Sequence, residues 1–85
     1  MIAASLVTVR IAESRKQLDM ELPTDMPAGE LAPKLLAALK NVEDARLHDV
    51  TQIRIKVDAR YLDGAETLSS AHIWDGGIIT VERSV

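Results

Sequence analysis

The chain has 85 residues, of which 47% are hydrophobic, and it carries a formal net charge of −3 with no cysteine. This length excludes a second domain and the hydrophobic content excludes disorder, so we expect one domain over residues 1–85 with an aliphatic core. The lack of cysteine excludes disulfides and thiolate metal sites, and the negative charge argues against nucleic acid as a partner.

Residues 1–5 do not have the pattern of a signal peptide, because no positive charge precedes an apolar stretch. No apolar run in the chain approaches the roughly 18 residues that are needed to cross a bilayer. We therefore expect a cytoplasmic protein without direct membrane insertion.

A β-hairpin is predicted for the next part of the chain. In residues 6–11 every second residue is Val or Ile, which is typical of a strand with one buried face. Residues 17–22 show the same alternation after a short polar segment. Pro23 is expected to end the second strand because it cannot donate a backbone hydrogen bond. The polar outward residues of that strand protect a sheet edge, so we expect a monomer or a weak homodimer.

An amphipathic helix is predicted from Pro27 to about Lys40. Leu31, Leu35 and Leu39 recur every four residues, so they form one apolar face that packs on the hairpin.

The ends and the interior of this helix also carry signals. Pro27 suits the first helical position, and Thr24 or Asp25 is near enough to cap it. Pro33 removes one helical hydrogen bond at a cost of roughly 3 kcal/mol, so we expect a kink or an irregular first turn there.

Residues 41–52 are predicted to be a partly packed connection with one short turn, because charges mix with Val42, Leu47 and Val50 without any Gly or Pro. Residues 53–57 then alternate Ile and Val with basic residues. This pattern predicts a third strand with a basic outer face.

Two further strands are predicted near the C-terminus. Residues 61–62 form a short fourth strand ahead of an Asp63-Gly64 turn. Residues 78–81 form the last strand, which is entered through residues 75–77, where a tight turn with positive φ accounts for both glycines. The element order β-β-α-β-β-β predicts an α+β fold with one helix packed on one sheet.

Several C-terminal motifs resemble ubiquitin, namely Leu62-Asp63-Gly64, Thr67-Leu68-Ser69, Ile73 and the strand from Ile78 to Val81. The hairpin, its closing proline, the helix and the polar connection also occur in the same order and at similar lengths. The resemblance covers nearly the whole chain. It implies a β-grasp roll with a mixed sheet and a core over about residues 6–83.

A nearer resemblance is to the EsaB/YukD family of small ubiquitin-like proteins of bacterial type VII secretion, and to the N-terminal domain of the membrane component EccD. The residues that carry it are Leu22-Pro23-Thr24-Asp25-Met26-Pro27, Glu30-Leu31-Ala32-Pro33 and Asp75-Gly76-Gly77-Ile78-Ile79. A proline at the position of Pro33 is familiar from the EccD-type domains. The initiating Met1 and the compact end favour an independent protein over a piece of a larger one.

Two departures from ubiquitin bear on function. Ubiquitin and related sulfur carriers act through a C-terminal Gly-Gly, whereas this sequence ends Arg83-Ser84-Val85. Ubiquitin is also recognised through an apolar patch on its outer sheet face, whereas Lys56 and Glu82 stand at matching positions. The resemblance therefore implies the ubiquitin scaffold without conjugation and without that patch.

The sequence offers little support for a catalytic or metal-binding site. Ser70, His72 and Asp75 supply the residue types of a nucleophile, a base and an orienting acid, but a polar turn explains them better. His48 and Asp49 are two metal ligands without a third. The glycines at 76–77 are not followed by the helix that a phosphate-binding loop needs. We expect no catalytic residue, cofactor or metal.

The outer sheet face is the candidate protein-binding surface, because basic residues recur along strands one and three. A row of this kind favours an acidic partner, although a solvated sheet face is the simpler explanation. Trp74 is expected to cover the core edge, and otherwise to be a contact residue. The full candidate set is Thr8, Arg10, Arg54, Lys56, Arg60, Trp74 and Thr80.

By resemblance, we expect a non-enzymatic adaptor or regulator of a type VII secretion system that contacts its membrane components or substrates. The alternative is a post-translational modifier or sulfur carrier, which would need processing or a different C-terminus. A third alternative is a divergent β-grasp enzyme or metal protein.

Overall fold

The computed structural model describes residues 4–41, 47 and 49–84. Its elements are β1 (Ala4–Ile11), β2 (Lys16–Pro23), α1 (Ala28–Lys40), β3 (Ile53–Val57), β4 (Arg60–Tyr61) and β5 (Ile78–Arg83). The predicted order of strands and helix is confirmed. β1, β2 and β5 extend the predicted strands by one or two residues, and β3 has the predicted bounds. The fourth strand is shifted by one residue from the predicted 61–62, because Arg60 and Tyr61 are the residues that pair with β3.

The five described strands form one mixed sheet in the order β2-β1-β5-β3-β4. β1 and β5 run parallel in its centre, and the other neighbouring strands are antiparallel. This arrangement confirms the α+β β-grasp fold. Since α1 lies in the connection between the hairpin and the later strands, its apolar face covers one side of the sheet.

The core lies between α1 and that side of the sheet. It is entirely aliphatic, as the composition predicts, and the inward positions predicted for the strands and for the helix are confirmed. Its buried members are Val7, Val9, Ile11, Leu22, Ala28, Leu31, Leu35, Leu36, Leu39, Leu47, Val50, Ile53, Ile55, Val57, Leu68, Ile73, Ile79 and Val81.

The start of α1 differs from the prediction. Pro27 is the N-cap residue with an extended backbone, not the first helical residue, and no side chain caps the helix. The predicted caps Thr24 and Asp25 are therefore wrong. The Pro27 carbonyl instead accepts hydrogen bonds from the backbone N–H groups of Glu30 and Leu31, both at 2.9 Å.

Distant backbone groups satisfy the free N–H groups of the first helical turn. The Ala28 N–H donates to the Glu66 carbonyl at 2.7 Å, and the Gly29 N–H donates to the Gly64 carbonyl at 2.9 Å. The helix start is thus docked on the loop after β4, which makes a side-chain cap unnecessary.

Pro33 does not interrupt the helix. α1 is one continuous helix from Ala28 to Lys40 with Pro33 inside it, so the predicted irregular turn is wrong. The proline costs roughly 3 kcal/mol. Four buried leucines of α1, each worth roughly 1.5 to 3 kcal/mol, outweigh that cost.

The connection after α1 is described only in part. Leu47 and Val50 are buried, and the Val50 N–H donates to the Leu47 carbonyl at 3.0 Å, which confirms the short packed turn. Val42 and His48 lie outside the described residues. Within the described part of the chain, no helix is long and apolar enough to cross a membrane.

The two glycines before β5 have different roles, which corrects the prediction that positive φ accounts for both. Gly76 has a φ of +84°, as the tight turn requires. Gly77 does not share this geometry, but a Cβ there would lie 2.9 Å from both Ile73 Cγ2 and the Trp74 carbonyl oxygen. A close approach of neighbouring atoms, and not backbone dihedral angles, therefore requires glycine at position 77.

Candidate protein-binding face

The sheet side opposite α1 is called the outer face below. Side chains alternate along a strand, so the neighbours of the buried core residues point to this side. All of the side chains that point to the outer face are exposed or half-buried. They are Leu6, Thr8, Arg10, Gln17, Asp19, Glu21, Arg54, Lys56, Tyr61, Ile78, Thr80 and Glu82.

The strand registers bring most of the predicted surface together. Arg10 pairs with Thr80, and Thr80 pairs in turn with Lys56, so these three residues form one row across β1, β5 and β3. Thr8 lies beside this row on β1, and Arg54 lies beside it on β3. Five of the seven predicted residues therefore share the outer face.

Tyr61 and Glu82 organise the cations at one end of the row. The Arg54 guanidinium lies over the Tyr61 ring, 4.0 Å from its centroid, and Lys56 Nζ lies 5.5 Å from the same centroid. The Tyr61 hydroxyl donates to Glu82 at 3.0 Å, and Glu82 Oε2 lies 3.8 Å from Lys56 Nζ. These four residues are called the aromatic–charge cluster. Because it contains a carboxylate, the face is not a uniform basic row.

Arg60 does not belong to the outer face, so its predicted place in the row is wrong. It pairs with the inward-facing Val57, whereas its neighbour Tyr61 pairs with the outward-facing Lys56. The turn at residues 58–59, with Asp58 at a φ of 56°, fixes this register and hence the side to which each residue points.

Arg60 forms an ion pair with Glu66 instead. Its Nη1 donates to both oxygens of the Glu66 carboxylate, at 2.7 and 2.9 Å. The hydrogen bond from Arg60, followed by one from the Asp63 backbone N–H, holds the pKa of the Glu66 carboxyl below its ordinary value. The same contact raises the pKa of Arg60. This pair braces the loop on which the helix start is docked.

Trp74 is exposed over 54% of its surface, so the prediction that it covers the core edge is wrong. Ile73 takes the inward position and is buried. The Trp74 carbonyl then accepts the Gly77 N–H at 2.8 Å, which closes a tight turn.

Leu6 and Ile78 are two exposed hydrophobic residues outside the predicted binding surface. They are 52% and 48% exposed, and they lie on the neighbouring strands β1 and β5. The turn that carries Trp74 is bonded to Leu6: its backbone N–H donates to Asp75 Oδ1 at 2.7 Å, and its carbonyl accepts the Gly76 N–H at 2.9 Å. Leu6, Ile78 and Trp74 are called the apolar corner.

The catalytic reading gains no support from the side-chain contacts. The Ser70 hydroxyl donates to the Thr67 carbonyl at 2.9 Å, while Asp75 accepts from the backbone of Leu6. His72 is exposed with a φ of 63°. Ser70 and Asp75 thus bond to separate backbone groups, and no hydrogen bond joins the three side chains. Among the described residues, no group of three His, Asp or Glu is placed to hold a metal ion.

Two concave surfaces on the described part of the chain are lined by no Asp, Glu or His. A groove of about 410 Å³ between α1 and β3 is lined mainly by apolar residues and contains one ionisable lining residue, Arg54. A shallow depression of about 440 Å³ beside the β1–β2 turn contains Arg10 and Arg15. Neither holds the acid and base that catalysis at a shielded site needs.

Comparison with known proteins agrees with the fold described above. The family model described as "WXG100 protein secretion system (Wss), protein YukD" matches residues 6–81. No curated protein matches the chain.

Solved structures of ubiquitin-like domains are similar to the chain in fold. The ubiquitin-like domain of the Mycobacterium tuberculosis type VII secretion protein ECCD1 is 20% identical with a TM-score of 0.72, and the alignment covers 95% of this chain and 99% of that chain. The EccD5 ubiquitin-like domain from Mycobacterium xenopi is 16% identical with a TM-score of 0.74 and coverage of 96% of both chains. Caldiarchaeum subterraneum ubiquitin is 18% identical with a TM-score of 0.67, and coverage is 98% of this chain and 96% of that chain.

Proposed function

The chain belongs to the YukD family of the WXG100 protein secretion system, and we propose that it serves such a system as a non-covalent adaptor. In this proposal it works in the cytoplasm and binds a membrane component or a substrate of the secretion machine. The contact is made by the outer face, through Thr8, Arg10, Arg54, Lys56, Thr80 and the adjoining Trp74. No catalytic step is part of the proposal.

The exposure of the apolar corner is the observation that carries this proposal. Leu6, Ile78 and Trp74 each expose about half of their surface, although the other leucines, isoleucines and valines that the structure describes are buried in the core or packed against it. Single exposed apolar residues are normal, but several together on one side of a small domain are typical of a protein-binding site. Tryptophan is also enriched among residues that dominate binding energy.

The aromatic–charge cluster supports the same face. The Arg54 guanidinium is held over Tyr61 before any partner arrives, so less side-chain entropy is lost on binding than for a free arginine. Glu82 accepts the tyrosine hydroxyl and fixes the ring. A partner would therefore meet an ordered polar surface beside an exposed apolar one.

We propose non-covalent action because Arg83 and Ser84, at the end of β5, are held by hydrogen bonds from their backbone N–H groups. Neither residue is a glycine. The Arg83 N–H donates to Glu13 Oε1 at 2.7 Å, and the Ser84 N–H donates to the Gln52 carbonyl at 3.0 Å. Conjugated ubiquitin-like proteins instead use a flexible glycine pair, which can thread a narrow enzyme channel. We propose that this segment stays docked on the domain.

Genetic complementation tests the proposed function. In a strain that lacks the gene, wild-type protein should restore secreted substrates, whereas the variant Arg10→Ala/Lys56→Ala on the outer face should not. Lys34→Ala/Lys40→Ala is the matched control, since it removes the same charge from exposed positions of α1. Full restoration by the outer-face variant would refute the docking face.

The non-covalent part has its own test. The purified chain is incubated with an E1-like activating enzyme and ATP, and its intact mass is measured. An unchanged mass is expected. A C-terminal adenylate or thioester would refute non-covalent action and favour a modifier or sulfur carrier.

A further inference from the structure

We infer that the apolar corner is a docking site for a basic amphipathic helix of a partner protein. This inference rests on the proposed function and deepens it, because it names the chemistry of the segment that one part of the outer face binds. Three features of the corner carry it: its position within the sheet, the spacing of its apolar side chains, and the charges around it.

The position within the sheet favours a helix over an extended peptide. Leu6 and Ile78 lie on β1 and β5, and each of these strands is paired on both sides. No free strand edge is present there to form main-chain hydrogen bonds with a partner, so β-strand addition is not available. A segment that docks on side chains alone must satisfy its own backbone, and a helix does so.

The apolar side chains are suitably placed for the apolar face of such a helix. Ile78 pairs with Thr8, two residues beyond Leu6 on the same face, so Leu6 and Ile78 are diagonal neighbours. Trp74 lies in the turn that is bonded to Leu6. Together they offer three apolar contacts, which match the residues at i, i+3 or i+4, and i+7 of a bound helix.

The charges on the Leu6 side of the corner are negative, whereas the cation Arg10 lies beyond Thr8, on the side of Ile78 that is away from Leu6. Glu21 lies opposite Leu6 on the neighbouring strand, and Asp19 lies opposite Thr8, whose hydroxyl donates to it at 2.8 Å. Asp75 precedes the turn glycines and bonds to the backbone of Leu6. No cation of the described residues lies within 4.0 Å of these three carboxylates.

Charge complementarity therefore selects a partner segment that carries Lys or Arg beside its apolar residues. An acidic helix would place like charges against Asp19 and Glu21 and would be repelled. An anionic membrane surface would be repelled for the same reason, because polybasic and not acidic surfaces are attracted to it. The exposed Trp74 is thus a protein contact and not a lipid anchor.

Fluorescence of Trp74 provides a direct readout, because the chain contains only one tryptophan. The probe is an 18-residue amphipathic peptide of leucine and lysine, and its matched control carries glutamate in place of every lysine. The full chain is titrated with each peptide, and with vesicles of phosphatidylglycerol and phosphatidylcholine. We expect a blue shift and protection from iodide quenching with the lysine peptide alone.

Matched variants locate the binding site. Leu6→Thr/Ile78→Thr should weaken the lysine peptide by at least about tenfold, because two of the three apolar contacts are lost. Asp19→Asn/Glu21→Gln should weaken it by roughly five- to tenfold and flatten its salt dependence. Asp25→Asn/Glu30→Gln removes two exposed carboxylates away from the outer face and should change binding by less than about twofold.

Several outcomes would overturn this inference. They are equal binding of both peptides, a Trp74 shift with the vesicles, or equal losses in the two carboxylate variants. Its failure is distinguishable from that of the proposed function. If the lysine and glutamate peptides bind alike while outer-face variants still fail to restore secretion, the partner chemistry is wrong and the adaptor proposal stands. If outer-face variants restore secretion fully, the adaptor proposal fails whichever peptide binds.

Discussion

Two adjacent isoleucines of β5 allow the outer face and the core face to be tested with the same substitution. Ile78 is 48% exposed, and Ile79 is fully buried. Threonine keeps the β-branched shape that strands favour, so Ile78→Thr and Ile79→Thr differ mainly in the surroundings of the new hydroxyl. We expect very different losses of stability from these two variants.

The sizes of the two losses follow from burial. At position 79 the change removes a buried methylene equivalent worth about 0.8 kcal/mol, and it buries a hydroxyl at a cost of about 1 to 3 kcal/mol if it finds no partner. The free energy of unfolding should therefore fall by roughly 2 to 4 kcal/mol, a large part of the 5 to 15 kcal/mol typical of a domain. At position 78 half of the side chain already meets water, so the loss should stay below about 1 kcal/mol.

Urea unfolding measured by far-UV circular dichroism checks both values, provided that the slope of free energy against urea is the same for all three proteins. Ile78→Thr should keep a midpoint near that of the wild type, and it should nevertheless bind the partner more weakly. Equal losses of stability at both positions would refute the assignment of residue 78 to an open face. A loss below about 1 kcal/mol for Ile79→Thr would refute the inward assignment of residue 79.

Three further predictions concern the turn before β5, the Arg60–Glu66 pair and the aromatic–charge cluster. Gly77→Ala should lower the free energy of unfolding by about 1 to 3 kcal/mol in urea, because the added methyl group would lie 2.9 Å from the Trp74 carbonyl oxygen; an unchanged midpoint would contradict that contact. Contact with Arg60 lowers the pKa of Glu66, so the stability that this carboxylate adds is present above its ordinary pKa of 4.5 and is lost as the pH falls through the lowered value. Glu66→Gln should therefore be less stable than wild type at pH 7 but match it in strong acid, and a constant difference in urea midpoints would refute the sign. Tyr61→Phe keeps the ring but loses the hydroxyl hydrogen bond, so thermal unfolding should show a loss of no more than about 1 kcal/mol, and a larger loss would contradict the exposure of that bond.

Local periodicity was sufficient to predict the elements of the fold. Val7, Val9 and Ile11 alternate because one side of β1 faces the helix, and the leucines of α1 repeat at the helical period for the same reason. Each of these patterns depends on one element and its burial alone. The mixed sheet was implied by the resemblance to ubiquitin, since periodicity does not determine which strands pair.

The errors concern one contact between residues that are distant in sequence, at the helix start, and the geometry of two turns. The helix start is satisfied by carbonyls of Gly64 and Glu66, more than 30 positions away, so no local cap was needed. Arg60 was assigned to the wrong face because the register of β4 depends on the conformation of the preceding turn. The exposure of Trp74 depends on the tight turn that follows it.

The candidate site was more predictable than these errors suggest. Five of its residues lie on one face because strand alternation determines the side of the sheet. The same alternation also places Leu6 and Ile78 on the outer face. Apolar residues among polar ones on an exposed face indicate a binding surface. Only the adjacency of these residues to Trp74 and to the carboxylates of β2 required the structure.

Photocross-linking in cells tests the adaptor claim most directly. A photoreactive amino acid is placed at position 78 on the outer face, and in a control protein at the exposed position 34 of α1. Light should produce an adduct with a component or substrate of the secretion system from position 78 and not from position 34, and no adduct should form in the dark. Equal adducts from both positions, no adduct from position 78, or an adduct in the dark would contradict non-covalent docking on the outer face.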